Sequence, residues 1–456
     1  MTEEYSPLII DSTFLSDSKK FIKERIMPWE GLARSGIITE DDANNIKLLE
    51  KQSVENRNST VKAQVDLYAS SLLHVLSKIN DKDDIIKNIL ALINDLLLDL
   101  PEFSKSLLNL SSADSGLPFN PFLKHLENKD LLIKSLSLYN LTILLKQKNH
   151  ADNEVLYKIF NTITSMFESD NNYIMIIVQI LQDLLIKYKS VYQDYLVSYF
   201  KPINNLITQS ASHPNATGLQ LSYNILLATW ILSFNSQNNK ILTHNFPQLA
   251  GNLLIIAKDS IKLKIVRISV AILKNFVSTV NSQQEQFKVI KLLLFHDALN
   301  TIKTLKERKF ASNGSDEELA NDLNYLNDNL LEIVNTKLTS FDEYMTSLEN
   351  PKLISWASPI HKSNEFWLEN SYRFKDSNFK LVKKIFDIMN HNDGAIPIIL
   401  LNDLQFLIKN LGQDLITFVN NHSQYKLLVM SYLDQGNNEL KYEALKTIQL
   451  LVGHNF

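Results

Sequence analysis

The chain has 456 residues, 46 basic against 50 acidic, and its net charge of −4 offers no overall pull toward nucleic acid or anionic lipid. It contains no cysteine, which excludes disulfides, thiolate metal sites, cysteine nucleophiles, prenylation and palmitoylation together. Ten glycines and eleven prolines are sparse punctuation for this length and favour long helices over many tight β turns.

The opening, Met1 to Tyr5, is acidic and lacks the basic and apolar regions of a signal peptide, so a cytoplasmic location is expected. A tryptophan segment follows, Trp29 to Ser35 (WEGLARS), with Glu40-Asp41-Asp42 just behind it. Amphipathic helical patterning then takes over. Ile85, Ile86, Ile89, Leu92, Ile93, Leu96, Leu97 and Leu100 recur at helical spacing and form one broad apolar stripe. Comparable stripes run through Leu131 to Leu145, Ile174 to Ile186, Leu219 to Phe234 and Ile261 to Val277. The greasiest, Ile174 to Ile186, is interrupted by Gln179, Gln182 and Asp183 well short of a ~20-residue membrane span, so no membrane insertion is expected. Trp230, inside an apolar helix, is expected to be core.

These helices return every roughly 40 to 50 residues, the spacing of HEAT or armadillo repeats. Each follows a shorter apolar segment and a turn rich in Asn, Asp, Ser or Gly, residues suited to capping a helix start. The segment from His74 (HVLSKINDKDDIIKNILALINDLL) compares with that from Lys124 (KHLENKDLLIKSLSLYNLTILL). The segment from Ser165 likewise compares with that from Ser431, near the C-terminus. Ala311 to Ser315 reads as a loop ahead of a closing helix, Leu319 to Leu338.

Leu338 to Asn370 breaks this rhythm. Pro351 and Pro359 cannot donate backbone hydrogen bonds and bias their predecessors toward extended geometry, so the stretch reads as a connector. Solvated loops seldom carry large aromatics, yet this one holds two of the four tryptophans. Phe341, Trp356, Phe366 and Trp367 are therefore expected to anchor it by packing. The resulting fold class is all-α: a HEAT/armadillo-like α-solenoid N-terminal domain over 1–346, a connector over 347–363, and a smaller all-helical C-terminal domain over 364–456. Inside the latter, Asn390-His391-Asn392-Asp393-Gly394 reads as a polar turn between a helix ending at Met389 and one starting near Ala395. Gly394 is expected to supply left-handed geometry at the helix C-cap.

No site chemistry accompanies this framework. Neither G-x-x-x-x-G-K-[ST] nor G-x-G-x-x-G occurs, and the glycines are too scattered to cradle phosphate. There is no G-x-S-x-G elbow or H-E-x-x-H. The histidines lie too far apart for any helix to offer an i, i+4 pair to a metal. No enzyme activity, cofactor or metal is expected. A curved helical array offers a long surface for partner proteins instead, as in an α-solenoid adaptor such as a nuclear-transport carrier.

The connector, however, resembles the inter-domain region of the H-subunit family of the vacuolar proton-pumping ATPase (V-ATPase). The matching elements are Ser340 to Tyr344, Trp356 with Pro359, His361, and Phe366 to Asn370; Ala357 separates Trp356 from Ser358-Pro359, a departure from the family's Trp-Ser-Pro. Trp29 to Ser35, Leu219 to Asn235, Ala298 to Lys309 with Ser315 to Leu319, and Leu440 to Phe456 resemble further family segments in the same order. The resemblance implies a non-catalytic regulatory component at the cytosolic face of the vacuolar membrane and other acidic organelles. Such a component is needed for ATP hydrolysis coupled to proton transport in the assembled pump and inhibits hydrolysis by the detached catalytic sector. The implied partners are the E and G subunits of the peripheral stalk, the cytosolic domain of the membrane a-subunit, and rotor or catalytic-head subunits in the detached state. At the place of the family's longer polar loop stand Asn390, His391, Asn392, Asp393 and Gly394, the residues the resemblance assigns to rotor or head contact.

Overall fold

The computed structural model describes residues 5–112, 114–148, 151–188, 195–213, 217–308, 316–336 and 341–453, without the side chains of 335 and 336. The Ala311–Ser315 loop, Ser340, the end of the closing helix at Leu338 and residues 454–456 lie outside them. Among the described residues every regular element is helical. Two compact units emerge, Met1–Thr279 and Val280–Phe456.

In the first unit the apolar stripes become the helices Asp83–Asp99, Leu131–Lys146, Asn171–Lys187, Leu219–Ser233 and Leu263–Ser278. Each packs on the next in that order. Most of their apolar residues are buried; Ile86, Ile89, Ile93, Leu136, Leu141, Ile177 and Ile180 have no exposed surface, whereas Ile186 and Leu219 at helix ends remain exposed. The helices Val65–Lys78, Phe119–His125, Asn153–Met166, Leu196–Ser212 and Leu249–Asp259 form a second layer against them. This is an α-solenoid, in which each helix pair buries a face that it cannot bury alone. The polar turns between helices act as caps. Asp130 accepts from the Leu132 and Ile133 amides, Asp170 from Asn172, and Asn235 from Gln237 and Asn238. Trp230 is only half-buried, edge-on to Phe234 with ring centroids 4.7 Å apart.

Polar residues on the inner helices bond across the stack. Asn94 donates to Asn140 (2.9 Å), Gln182 to the Asn224 carbonyl (2.8 Å), and Asn275 to Ser233 (2.8 Å). Buried amides of this kind must be paired or they cost free energy, so they fix the register of neighbouring helices.

The second unit begins with Gln283–Phe295, Ala298–Lys306 and Glu317–Thr336, which pack together. Asp316 starts the last of these by accepting from the Leu319 amide (3.1 Å). The centre of the remainder is Ala395–Leu411, against which Asp376–His391, Gln413–Asn420 and Asn438–Gly453 pack. The helix Phe341–Glu349 leads into the connector, where both prolines open short 3₁₀ turns, Pro351–Leu353 and Pro359–Lys362. Proline suits that first position, where its missing N–H is not needed. Ser377, Asn378 and Phe379 adopt left-handed backbone, with φ of 52°, 57° and 56°, so the helix leading to His391 becomes regular only after them. Phe379 is held there by stacking on Phe418, centroids 4.6 Å apart.

One polar group lies in the middle of this apolar packing. Asp403, with no exposed surface, accepts from the Tyr344 hydroxyl (3.0 Å) and from Nδ1 of His361 (2.9 Å). The Asn402 side chain donates to the His361 carbonyl, and the Trp367 indole donates to the Ile360 carbonyl (3.0 Å). Burial first, and then the Asp403 carboxylate, holds the Tyr344 phenol well above its usual range, so it remains a donor.

Trp367→Ala removes a fully buried ring at a typical cost of ~3–5 kcal/mol. The expected result, read by calorimetry on the whole chain, is a fall of the relevant transition by on the order of 10 °C. A melt that did not move would assign Trp367 to a surface role. Asp403→Ala leaves two buried donors without their acceptor and is expected to destabilise by a similar ~3–5 kcal/mol.

Candidate partner-binding surfaces

Three places are candidates for contact with other molecules: the inner face of the array, the connector, and the Asn390–Gly394 tip.

On the array, residues 5–12 run as an extended strap across three inner helices. The Tyr5 hydroxyl donates to the Leu97 carbonyl. Tyr139 donates to the Leu8 carbonyl (2.7 Å) and accepts from the Ile10 amide (3.3 Å). Gln179 accepts from the Asp11 amide (2.9 Å) and donates to its carbonyl (3.2 Å). Burial pushes the Tyr139 phenol up to about 12, which keeps its proton available to Leu8. Leu8 and Ile10 point inward while Ile9 is exposed, the alternation of an extended chain. Ser12 then caps the helix Thr13–Lys23 by accepting from Leu15 (3.2 Å).

That helix is tied back to the array by charge. Lys19 reaches Asn94 (2.6 Å) and Asp95 (2.7 Å), and Lys23 and Arg57 also reach Asp95. Burial alone would raise the Asp95 carboxyl, but Lys19 and Lys23 outweigh it and hold it below the usual carboxylate range. The strap and these pairs are absent from a periodicity reading. The signals that point to them are the Leu8/Ile10 alternation and the polar interruption of an apolar helix at Gln179.

At the connector, Trp367 is fully enclosed and stacks parallel to Phe406, centroids 6.0 Å apart. Phe366 is buried, and both rings meet Tyr344 (5.8 and 5.2 Å). Phe341 is half-buried, edge-on to Phe374 and beneath the Arg373 guanidinium (4.7 Å). Trp356 is also half-buried, edge-on to His361 (6.3 Å) with the Lys362 ammonium over its ring (5.2 Å).

The tip differs from the turn expected. The helix continues through Asn390 to His391, so only Asn392, Asp393 and Gly394 link it to the next. The last turn is helical because side chains meet its carbonyls: His391 Nδ1 donates to Asp387 (2.8 Å) and Asn392 to Ile388 (2.8 Å). Gly394 does not cap that helix; it opens the following one at φ 71°, ψ −129°, a backbone that disfavours any side chain. Asn390, His391, Asp393 and Gly394 are exposed and Asn392 is half-buried. Beneath them Tyr432 donates to the Met389 carbonyl (2.8 Å), its phenol pushed up to about 12 by burial and then by the Asp393 charge.

Among the described residues no group of three or more His, Asp or Glu is placed to hold a metal ion, and no helix is long and apolar enough to cross a membrane.

Two family models describing the V-ATPase H subunit match this chain, an N-terminal one over residues 13–330 and a C-terminal one over 337–456. The V-type proton ATPase H subunit of Drosophila melanogaster is 25% identical over 470 residues, covering 100% of this chain and 93% of the relative. That of Dictyostelium discoideum is 24% identical, covering 96% and 94%. The first of two probable V-type proton ATPase H subunits of Caenorhabditis elegans is 26% identical, covering 94% and 92%. With both family models met in order along nearly its whole length, the chain belongs to the V-ATPase H-subunit family.

Proposed function

We propose that this chain is a non-catalytic regulatory component of the V-ATPase, acting at the cytosolic face of the vacuolar membrane and other acidic organelles. It is needed for ATP hydrolysis coupled to proton transport in the assembled pump and inhibits hydrolysis by the detached catalytic sector. The observation that carries this reading is the ordered match of both family models to a framework built of helical packing surfaces. The buried Asp403–His361 pair is enclosed on all sides, which supports a protein that works by contact rather than chemistry.

The proposed division assigns the array, residues 1–346, to the E and G subunits of the peripheral stalk, since an elongated repeat surface can follow an extended partner. The smaller domain, 364–456 beyond the connector 347–363, is assigned to the cytosolic domain of the membrane a-subunit in the assembled pump. In the detached state its partners are rotor or catalytic-head subunits, met through the Asn390–Gly394 tip.

Added to pumps stripped of this component, the whole chain is expected to restore ATP-driven acidification, read by a pH-sensitive dye in sealed vesicles. On its own it is expected to turn over no ATP above a mock preparation. Failure to restore acidification, or genuine turnover by the isolated chain, would reject the assignment.

The tip is tested with Asn390→Ser and Asp393→Ser together, leaving the His391 and Asn392 caps and Gly394 in place. Exposed substitutions typically change stability within about ±0.5 kcal/mol, so folding should hold. At matched binding to detached catalytic sectors, the variant is expected to inhibit ATP hydrolysis less than its parent. Equal inhibition would make this stretch an ordinary helix connection.

A further inference from the structure

Within the second unit, a cavity of about 310 Å³ opens between the helix Gln283–Phe295, the helix Phe341–Glu349 and the connector. Its lining is mainly apolar, with Leu292, Phe295, Leu353 and Ile360 among its walls. Phe295 is 56% exposed and Leu353 37%, so two large apolar side chains meet water there without cover. Three lysines also line it: Lys288, Lys291 and Lys352. Lys291 is engaged by the Glu343 carboxylate. Among the described residues, Lys288 and Lys352 have no acidic partner.

We infer that this cavity is a docking site for an acidic peptide segment that inserts a large aliphatic or aromatic side chain between Phe295 and Leu353 and sets flanking carboxylates on Lys288 and Lys352. The attraction is local: the chain as a whole is slightly acidic, while this rim carries three cations against one carboxylate. Glu343 on Lys291 already shows a carboxylate seated at the rim, the arrangement an incoming Asp or Glu would repeat at the two unpaired lysines. The volume lies at the small end for ligand pockets, enough for a side chain or two. Shape separates this from a lipid surface, since the apolar groups line a concavity instead of projecting, and insertion into a bilayer needs them to project. The site is distinct from the tip and from the strap-bound face formed by the first inner helices, and it goes beyond the regulatory role proposed above.

The test uses the full chain and fluorescence anisotropy with a labelled synthetic peptide in which Leu and Phe are flanked by Glu. A twin with Lys in place of Glu, and phosphatidylcholine vesicles containing phosphatidylserine, are run beside it. Saturable binding of the Glu peptide, weakening as salt is raised, is expected. The double variant Lys288→Glu, Lys352→Glu should bind it about fivefold less tightly or worse, and should gain affinity for the Lys peptide. That gain requires a folded site, so it separates lost charge from lost structure. Phe295→Ser should weaken both pairings. No binding of the Glu peptide, binding indifferent to all these substitutions, or a dependence on them seen with vesicles alone would overturn the proposal.

Discussion

A carboxylate with no exposed surface lies at the centre of the second unit, and the arrangement around it follows from satisfying that one group. Asp403 sits mid-way along Ala395–Leu411, a helix whose buried face is mostly Ile and Leu, with Gln405 the other buried polar residue. Removing a charge from water costs several kcal/mol unless hydrogen bonds replace the hydration. Here Tyr344 comes from the helix Phe341–Glu349 that leads into the connector, and His361 from the connector turn opened by Pro359. The carboxylate therefore fixes where the connector lies. Hydrophobic packing alone tolerates sliding; two donors converging on one carboxylate do not.

Buried polar pairs set alignment in the first unit too, on a smaller scale. Apolar stripes bring its helices together but specify register weakly, because Ile and Leu pack acceptably in several alignments. Asn94 with Asn140, Gln182 with Asn224, and Asn275 with Ser233 each bond across one helix interface and allow only one alignment. Gln179 turns the same device toward the strap, using both ends of its amide on the backbone of Asp11. Because Gln179 and Tyr139 hold main-chain groups, the grip on residues 8–11 depends on backbone geometry more than on side-chain identity.

What the sequence conveys and what it hides divides along the same line. Periodicity places the five long inner helices, since burial of a stripe is a local, repeated constraint; the Ile85–Leu100 stripe becomes Asp83–Asp99. It reads Gln179 and Asp183 only as breaks in a greasy run. One holds the strap, and the other pairs with Lys146 (2.7 Å) on the preceding inner helix. Nothing near Asp403 in sequence announces His361, since the pair spans 42 residues. Polarity also misplaces the helix end at Met389, because a solvated last turn and a loop share the same composition. Side-chain bonds from His391 and Asn392 to helix carbonyls decide between them.

A buried aspartate holding a histidine has the composition of an acid–base dyad, and exposure decides what it can do. General acid–base catalysis needs the imidazole within reach of a substrate proton. His361 is 1% exposed, its Nδ1 is committed to Asp403, and the Tyr344 and Trp356 rings stand edge-on to it. Opening a path to it means displacing Trp356 or the turn at Pro359, which also carries the carbonyl that receives the Trp367 indole. A proton-transfer role would thus dismantle the packing that keeps the pair in place. The pair is retained for position, and the surfaces proposed to act on other molecules are the strap-bound array face, the lysine-rimmed cavity and the tip.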